Sequence, residues 1–186
     1  MAAFLSDVFV ALRTKLFADI PDLKTVRKWN NQFERMNEES AFDFPCVFID
    51  FSTLASNDLS QGIRTINFVI TLYLGFERLD LSQGGVKYNG VVMEEELGFF
   101  EFQNDVYKSV NHFRPAGCSA LQAQDDRTDA DHNNVYVHQM DFICSGIDQA
   151  TDVTNTLIET GAPIDLELDV DLIIDDPEIR TGKEII

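Results

Sequence analysis

Two periods of apolar residues divide this chain into helices and strands. Phe4, Val8, Leu12 and Leu16 fall four apart, and Leu5 and Phe9 widen the stripe. That spacing predicts an amphipathic helix over residues 4–16, ending near residue 18 ahead of Pro21. Ser6 and Asp7 lie early in it and Arg13 and Lys15 late, an order that suits the helix dipole. Residues 24–33, with Val26 and Trp29, read as a strand, and residues 34–43 as a polar, acidic loop. Pro45 opens a short apolar strand over residues 46–51, followed by a polar loop over residues 52–62. In the strand over residues 63–76, Ile66, Phe68, Ile70, Leu72 and Leu74 share one face, and Thr65, Asn67, Thr71 and Tyr73 lie on the other. The two runs suit antiparallel neighbours.

Ser82-Gln83-Gly84-Gly85 and Asn89-Gly90 make residues 77–92 a loop or short hairpin. Glu94, Glu95 and Glu96 then open a second helix, whose stripe is Phe99, Phe102, Val106, Val110 and Phe113, with Pro115-Ala116-Gly117 as its stop. Residues 118–124 read as a strand, 125–134 as a polar connection and 135–145 as a last strand, apolar on both faces and so suited to a central place. Strands follow one another in pairs instead of alternating with helices. The expected fold class is α+β: a mainly antiparallel sheet of four to five strands with two helices packed on one face.

Past Asp148 the composition changes, which divides the chain into a domain over residues 1–148 and an acidic extension over 149–186. Within the extension a strand is expected at about 163–174. Ile164-Asp165-Leu166-Glu167-Leu168-Asp169-Val170-Asp171-Leu172 alternates apolar and acidic residues without a break, placing its aliphatic side chains on one face and its carboxylates on the other. Such a strand needs a sheet edge, its own or a neighbour's.

Charge sharpens this picture. Residues 115–186 hold sixteen Asp and Glu against three Lys and Arg, a net of −13 within the −18 of the whole chain. A pI near 4.3 argues against gripping a nucleic-acid backbone or an anionic membrane surface. Fifteen Phe and a hydrophobic content of 45% give material for a core, which disordered acidic chains lack. The first seven residues carry no basic stretch, so no secretory leader is expected, and no apolar run approaches the roughly 18 residues of a membrane helix. Cys46, Cys118 and Cys144 are odd in number and far apart, and read as reduced thiols of a reducing compartment.

Chemistry-bearing patterns are sparse. Asp129, Asp131 and Asn133 match the opening ligands of a calcium loop, but position six is Asn134 instead of Gly and position twelve is Met140 instead of Glu. A solvated hairpin loop over residues 125–134 is the reading, and no metal or cofactor is expected. His112, His132 and His138 have no metal-site spacing, and His138 reads as a hydrogen-bonded sheet histidine. Gly117-Cys118-Ser119 loosely suggests a nucleophile without a partner histidine signature, so a buried thiol is expected. There is no nucleophile elbow, phosphate-binding loop or dinucleotide fingerprint, and no enzymatic activity is expected.

As one pattern the chain resembles the tail terminator, or tail-completion, proteins of long-tailed bacteriophages. The resemblance covers about residues 1–148. It is carried by the N-terminal amphipathic helix, Asn30-Asn31-Gln32, Phe44-Pro45-Cys46-Val47-Phe48-Ile49-Asp50-Phe51 and Phe68-Val69-Ile70-Thr71-Leu72-Tyr73-Leu74. Asn104-Asp105-Val106-Tyr107-Lys108-Ser109-Val110 and the hairpin from Asp125-Asp126-Arg127-Thr128-Asp129 to Val135-Tyr136-Val137-His138-Gln139-Met140-Asp141-Phe142 complete it. Phage head-completion and neck proteins share similar short α+β designs. The resemblance implies a homo-oligomeric ring, commonly hexameric, that caps the tail tube protein and docks onto the head-tail connector or neck of the virion. DNA would pass through it without specific binding, and the extension after Asp148 departs from the compact members. A negative wall would keep such a passage non-adhesive, so the expected lumen or subunit-interface residues are Asp125, Asp126, Asp129, Asp131, Asp165, Glu167, Asp169 and Asp171. Two other classes fit the residues: another tail, baseplate or neck adaptor, which would polymerise openly, and an acidic DNA-mimic inhibitor, which would bind a basic host protein.

Overall fold

The computed structural model describes residues 2–34, 42–60, 63–77, 85–129 and 135–148. In chain order the elements are α1 (Ala2–Asp19), β1 (Thr25–Lys28), β2 (Cys46–Ser60), β3 (Ile63–Glu77), β4 (Val86–Tyr88), β5 (Val91–Met93), α2 (Glu95–Val110), β6 (Gln122–Asp129) and β7 (Val135–Asp148). Five strands form one sheet in the order β1-β2-β3-β7-β6, and β4 and β5 form a separate hairpin. Every pairing in the large sheet is antiparallel except β1 with β2. The fold is α+β.

The predicted helix stripes are the buried ones. Val8, Leu12 and Leu16 of α1 and Phe99, Phe102, Val106 and Val110 of α2 all lie in the main core. With them pack Ile66, Phe68, Ile70, Leu72 and Leu74 of β3, and Met140, Phe142 and Cys144 of β7, so both helices cover one face of the sheet. The ends of α1 do not carry the dipole-matched charges expected of them. The helix extends past the stripe at both ends, leaving no acid in its first turn and no base in its last. Lys15 instead reaches Asp19 across one turn, Nζ to Oδ2 at 2.7 Å. Helix α2 stops at Val110, earlier than Pro115 requires, because Asn111 turns to extended backbone and His112 adopts φ 65°.

Three strand readings need correction. Residues 52–60, expected as a loop, continue β2 and pair with β3 from Ser52↔Val69 to Ser60↔Ile63, with register shifts after Thr53 and Asp58. Residues 52–59 are exposed, so no face is buried and no alternation marks them as a strand. Residues 125–129, expected as a connection, belong to β6, and the strand begins at Gln122 instead of Cys118. Cys118 makes only an isolated bridge to Gly146. Residues 24–33 shorten to the four of β1, after which Trp29 and Phe33 leave the sheet plane for a second cluster. The Asn89-Gly90 turn is as expected: both residues have positive φ, 48° and 78°, as a two-residue type I′ hairpin requires. Strand β7 runs between β3 and β6, the central place its two apolar faces suggested.

The second cluster lies on the face away from the helices. Cys46, Phe48, Phe33, Val135 and Val137 are buried there, with Trp29, Phe42, Phe44 and Tyr73 packed against them. It covers one end of that face, where Trp29 stacks on Tyr73 with ring centroids 4.1 Å apart. Gly75 makes room for it: a Cβ there would stand 2.6 Å from the Phe33 ring and 2.7 Å from Cys46 Sγ.

Candidate assembly surface

The helix-free face of the sheet becomes polar one row beyond the aromatic cluster. Register sets Asp50 opposite Thr71, Thr71 opposite Asp141, and Asp141 opposite Asp125. One row across β2, β3, β7 and β6 therefore carries three carboxylates. Asp141 is the best held. Thr71 Oγ1 donates to its Oδ1 at 2.7 Å, Gln139 Nε2 to the same oxygen at 3.3 Å, and Arg127 Nη2 lies 3.5 Å from Oδ2. Asp50 and Asp125 form no ion pair among the described residues. The row reaches its neighbours electrostatically: Tyr73 is held above the usual phenol range by burial first, then by the charges of Asp50 and Asp141.

Of the acids singled out in the sequence, Asp125 lies in this row. Asp126 points to the opposite side of β6, paired in register with Met140, and its charge acts on His138. Asp129 ends β6 opposite Val137. Asp131, Asp165, Glu167, Asp169 and Asp171 lie outside the described residues, as does the strand expected at 163–174. Asp50 and Asp141 were missed. Each is a single acid inside an apolar strand, and aligning neighbouring strands in pairs would have brought them together.

The two outer strands of the sheet differ in charge. Beside β1, a groove of about 480 Å³ runs along α1, lined by Phe9 and Phe17 and by Arg13, Lys24, Arg27 and Lys28. These four cations make no ion pair among the described residues, and Arg13 rests over the Phe17 ring at 5.8 Å. At the other edge, β6 has a register shift between Ala123 and Asp125. A hollow of about 230 Å³ opens there, lined by Tyr107 of α2 and by Gln124, Asp125 and Asp126. Among the described residues neither β1 nor β6 has a strand on its outer side.

The remaining polar groups serve the fold. His138 is buried, meets Thr128 Oγ1 through Nδ1 at 3.3 Å, and is held below the usual imidazole range by desolvation, against the pull of Asp126. A hydrogen bond with Cys144 and its own burial push the Cys118 thiol up, and burial does the same for Cys46. Cys144 Sγ faces the Ser119 carbonyl at 3.4 Å and the Ser119 hydroxyl at 3.6 Å. Tyr88, raised by burial and by Asp105, donates to that carboxylate at 3.0 Å and anchors the small hairpin on α2. Among the described residues no three His, Cys, Asp or Glu side chains converge as metal ligands, and no helix is long and apolar enough to cross a membrane. No protein-family model matches the chain, and no curated protein is significantly similar to it.

Proposed function

We propose that this protein is a structural component of a phage virion, a tail terminator that closes into a homo-oligomeric ring on the end of the tail tube. The observation that carries the reading is the sheet itself. Among the described residues it has two outer strands with no strand beyond them, β1 cationic and β6 net acidic, and a helix-free face crossed by a row of carboxylates. An uncovered edge is a template for another chain, and two unlike edges favour a head-to-tail contact, which either closes into a ring or continues as a filament. A carboxylate-bearing face turned to a DNA passage repels phosphate and leaves the nucleic acid free to slide. The element order that carries the family resemblance is also the order of the fold.

The test is tube length. Added to its cognate tail tube protein during polymerisation, the purified chain is expected to cap the tubes and shorten their length distribution in negative-stain images. Tubes that grow to the same lengths with and without it, and carry no cap, contradict a terminator.

A further inference from the structure

The ring reading requires a subunit contact, and the inference here rests on that reading. We infer that the contact is an edge-to-edge addition: β6 of one copy lies along β1 of the next, so that the five-stranded sheets join. The occupant of the β1 groove is thus a second copy of this chain.

Charge complementarity, clearest on the helix-covered side of the sheet, argues for this pairing. In β1, Arg27 is registered with Phe48, which belongs to the aromatic cluster on the helix-free face. Lys28 is registered with Ile49, which belongs to the helix-covered core, and alternation puts Lys24 on that same side. In β6, Asp125 is registered with Asp141 on the helix-free face and Asp126 with Met140 on the helix-covered face. On the helix-covered face the two edges therefore show opposite charge, whereas on the helix-free face β6 carries Asp125 beside Arg127, whose guanidinium is turned to Asp141 at 3.5 Å. Joining the edges with the helices kept to one side sets Asp125 toward Arg27 and Asp126 toward Lys24 and Lys28. The Lys and Arg stems are long enough to lie on Phe9 and Phe17 while their heads reach across.

Two like copies of either edge would repel. A β6–β6 contact brings together two strands that each hold three Asp against Arg127, and a β1–β1 contact brings cations together, so net charge also disfavours the symmetric dimer. The main-chain ladder supplies the pairing and the charges supply its direction. Repeated around a ring, it carries the Asp50–Asp141–Asp125 row from subunit to subunit along one wall.

A charge exchange on the full chain tests the contact. Association is followed by light scattering over a concentration series, with circular dichroism to confirm the fold. Arg27→Glu/Lys28→Glu and Asp125→Lys/Asp126→Lys are each expected to weaken association by about tenfold or more, as reversed interfacial charges do. The chain carrying all four substitutions is expected to regain it. All four positions are exposed, so the fold should tolerate them. Should the first pair nevertheless unfold the chain, the second alone still decides, since its undiminished association would sink the contact. An assembly that persists in both pairs overturns the edge contact and leaves the ring reading standing. Loss in Arg27→Glu/Lys28→Glu that is restored by Glu167→Lys/Asp169→Lys instead overturns it in favour of the acidic extension as the occupant of the groove. A wild-type chain that stays a monomer even on tail tubes removes the ring reading and the contact with it.

Discussion

The two faces of the sheet use their side chains differently. On the helix-covered face, Ile66, Phe68, Ile70, Leu72 and Leu74 succeed one another along β3 at 0% exposure, closed over by α1 and α2. On the other face the same strand offers Thr65, Asn67, Val69, Thr71 and Tyr73, all partly exposed, and among the described residues aromatic rings cover the Tyr73 end alone. The first face accounts for folding without reference to a partner. The second has hydrogen-bonded hydroxyls and a row of acids, the polar side of an antiparallel sheet that packs its core on the other face only.

Substitutions on adjacent residues of β3 break this comparison most sharply. Phe68→Ala removes a fully buried ring from the main core and is expected to cost about 3–5 kcal/mol, whereas Val69→Ala, one residue on, should cost under about 1 kcal/mol. Urea unfolding of the two variants measures the contrast, and equal losses would mean that the open face is covered in the free chain. Next in size is the aromatic end. Gly75→Ala drives a methyl group into Phe33 and Cys46 and is expected to cost about 1–3 kcal/mol in the same experiment.

The hairpin end gives a further contrast. Asp148 is 1% exposed and accepts from Arg64 Nε at 3.0 Å and Nη2 at 2.7 Å. Asp148→Asn leaves Arg64 short of its charge partner and should cost about 1–2 kcal/mol, less than a wholly buried pair because Arg64 is 25% exposed. The smallest effect has the opposite sign. Asp125 and Asp141 stand directly opposite each other, so Asp125→Asn is expected to stabilise the chain by a few tenths of a kcal/mol, about the value of relieving a like-charge cross-strand pair. That gain should shrink with added salt.

A pH series adds an independent check on the covered side. His138 has its pKa lowered in the folded state, so the unfolded chain binds the proton more readily. Stability from this group is fully present above the ordinary value of 6.5 and declines as pH falls below it. His138→Gln should flatten the melting temperature between about pH 7 and pH 5 relative to wild type. Parallel profiles for the two chains would mean that His138 takes up its proton as easily folded as unfolded.

Much of this was legible in the sequence where burial imposes a period. The stripes of α1 and α2 and the alternation of β3 each follow from one face meeting the core, and they located those elements to within a few residues. Legibility failed where tertiary pairing alone makes the structure. Residues 52–60 and 125–129 are strands because β3 and β7 supply a ladder beside them, and the exposed side chains of residues 52–59 and 125–128 leave no periodic trace. The charges of α1 misled for a related reason: a short stripe marks the buried part of a helix, not its ends. For the candidate surface, Asp125 and Asp126 were visible as part of an acidic run. The row they join depends on register with Asp50 and Asp141, and the cationic groove at β1 depends on how the consecutive elements α1 and β1 pack against each other.

The proposed ring depends on self-assembly. The most direct measurement is the solution mass of the full-length chain at physiological salt, by light scattering with negative-stain imaging, alone and with tail tubes. The expected result is a closed ring with a central hole, formed free in solution or on the tube end. A chain that remains a 21.0 kDa monomer under both conditions would contradict it.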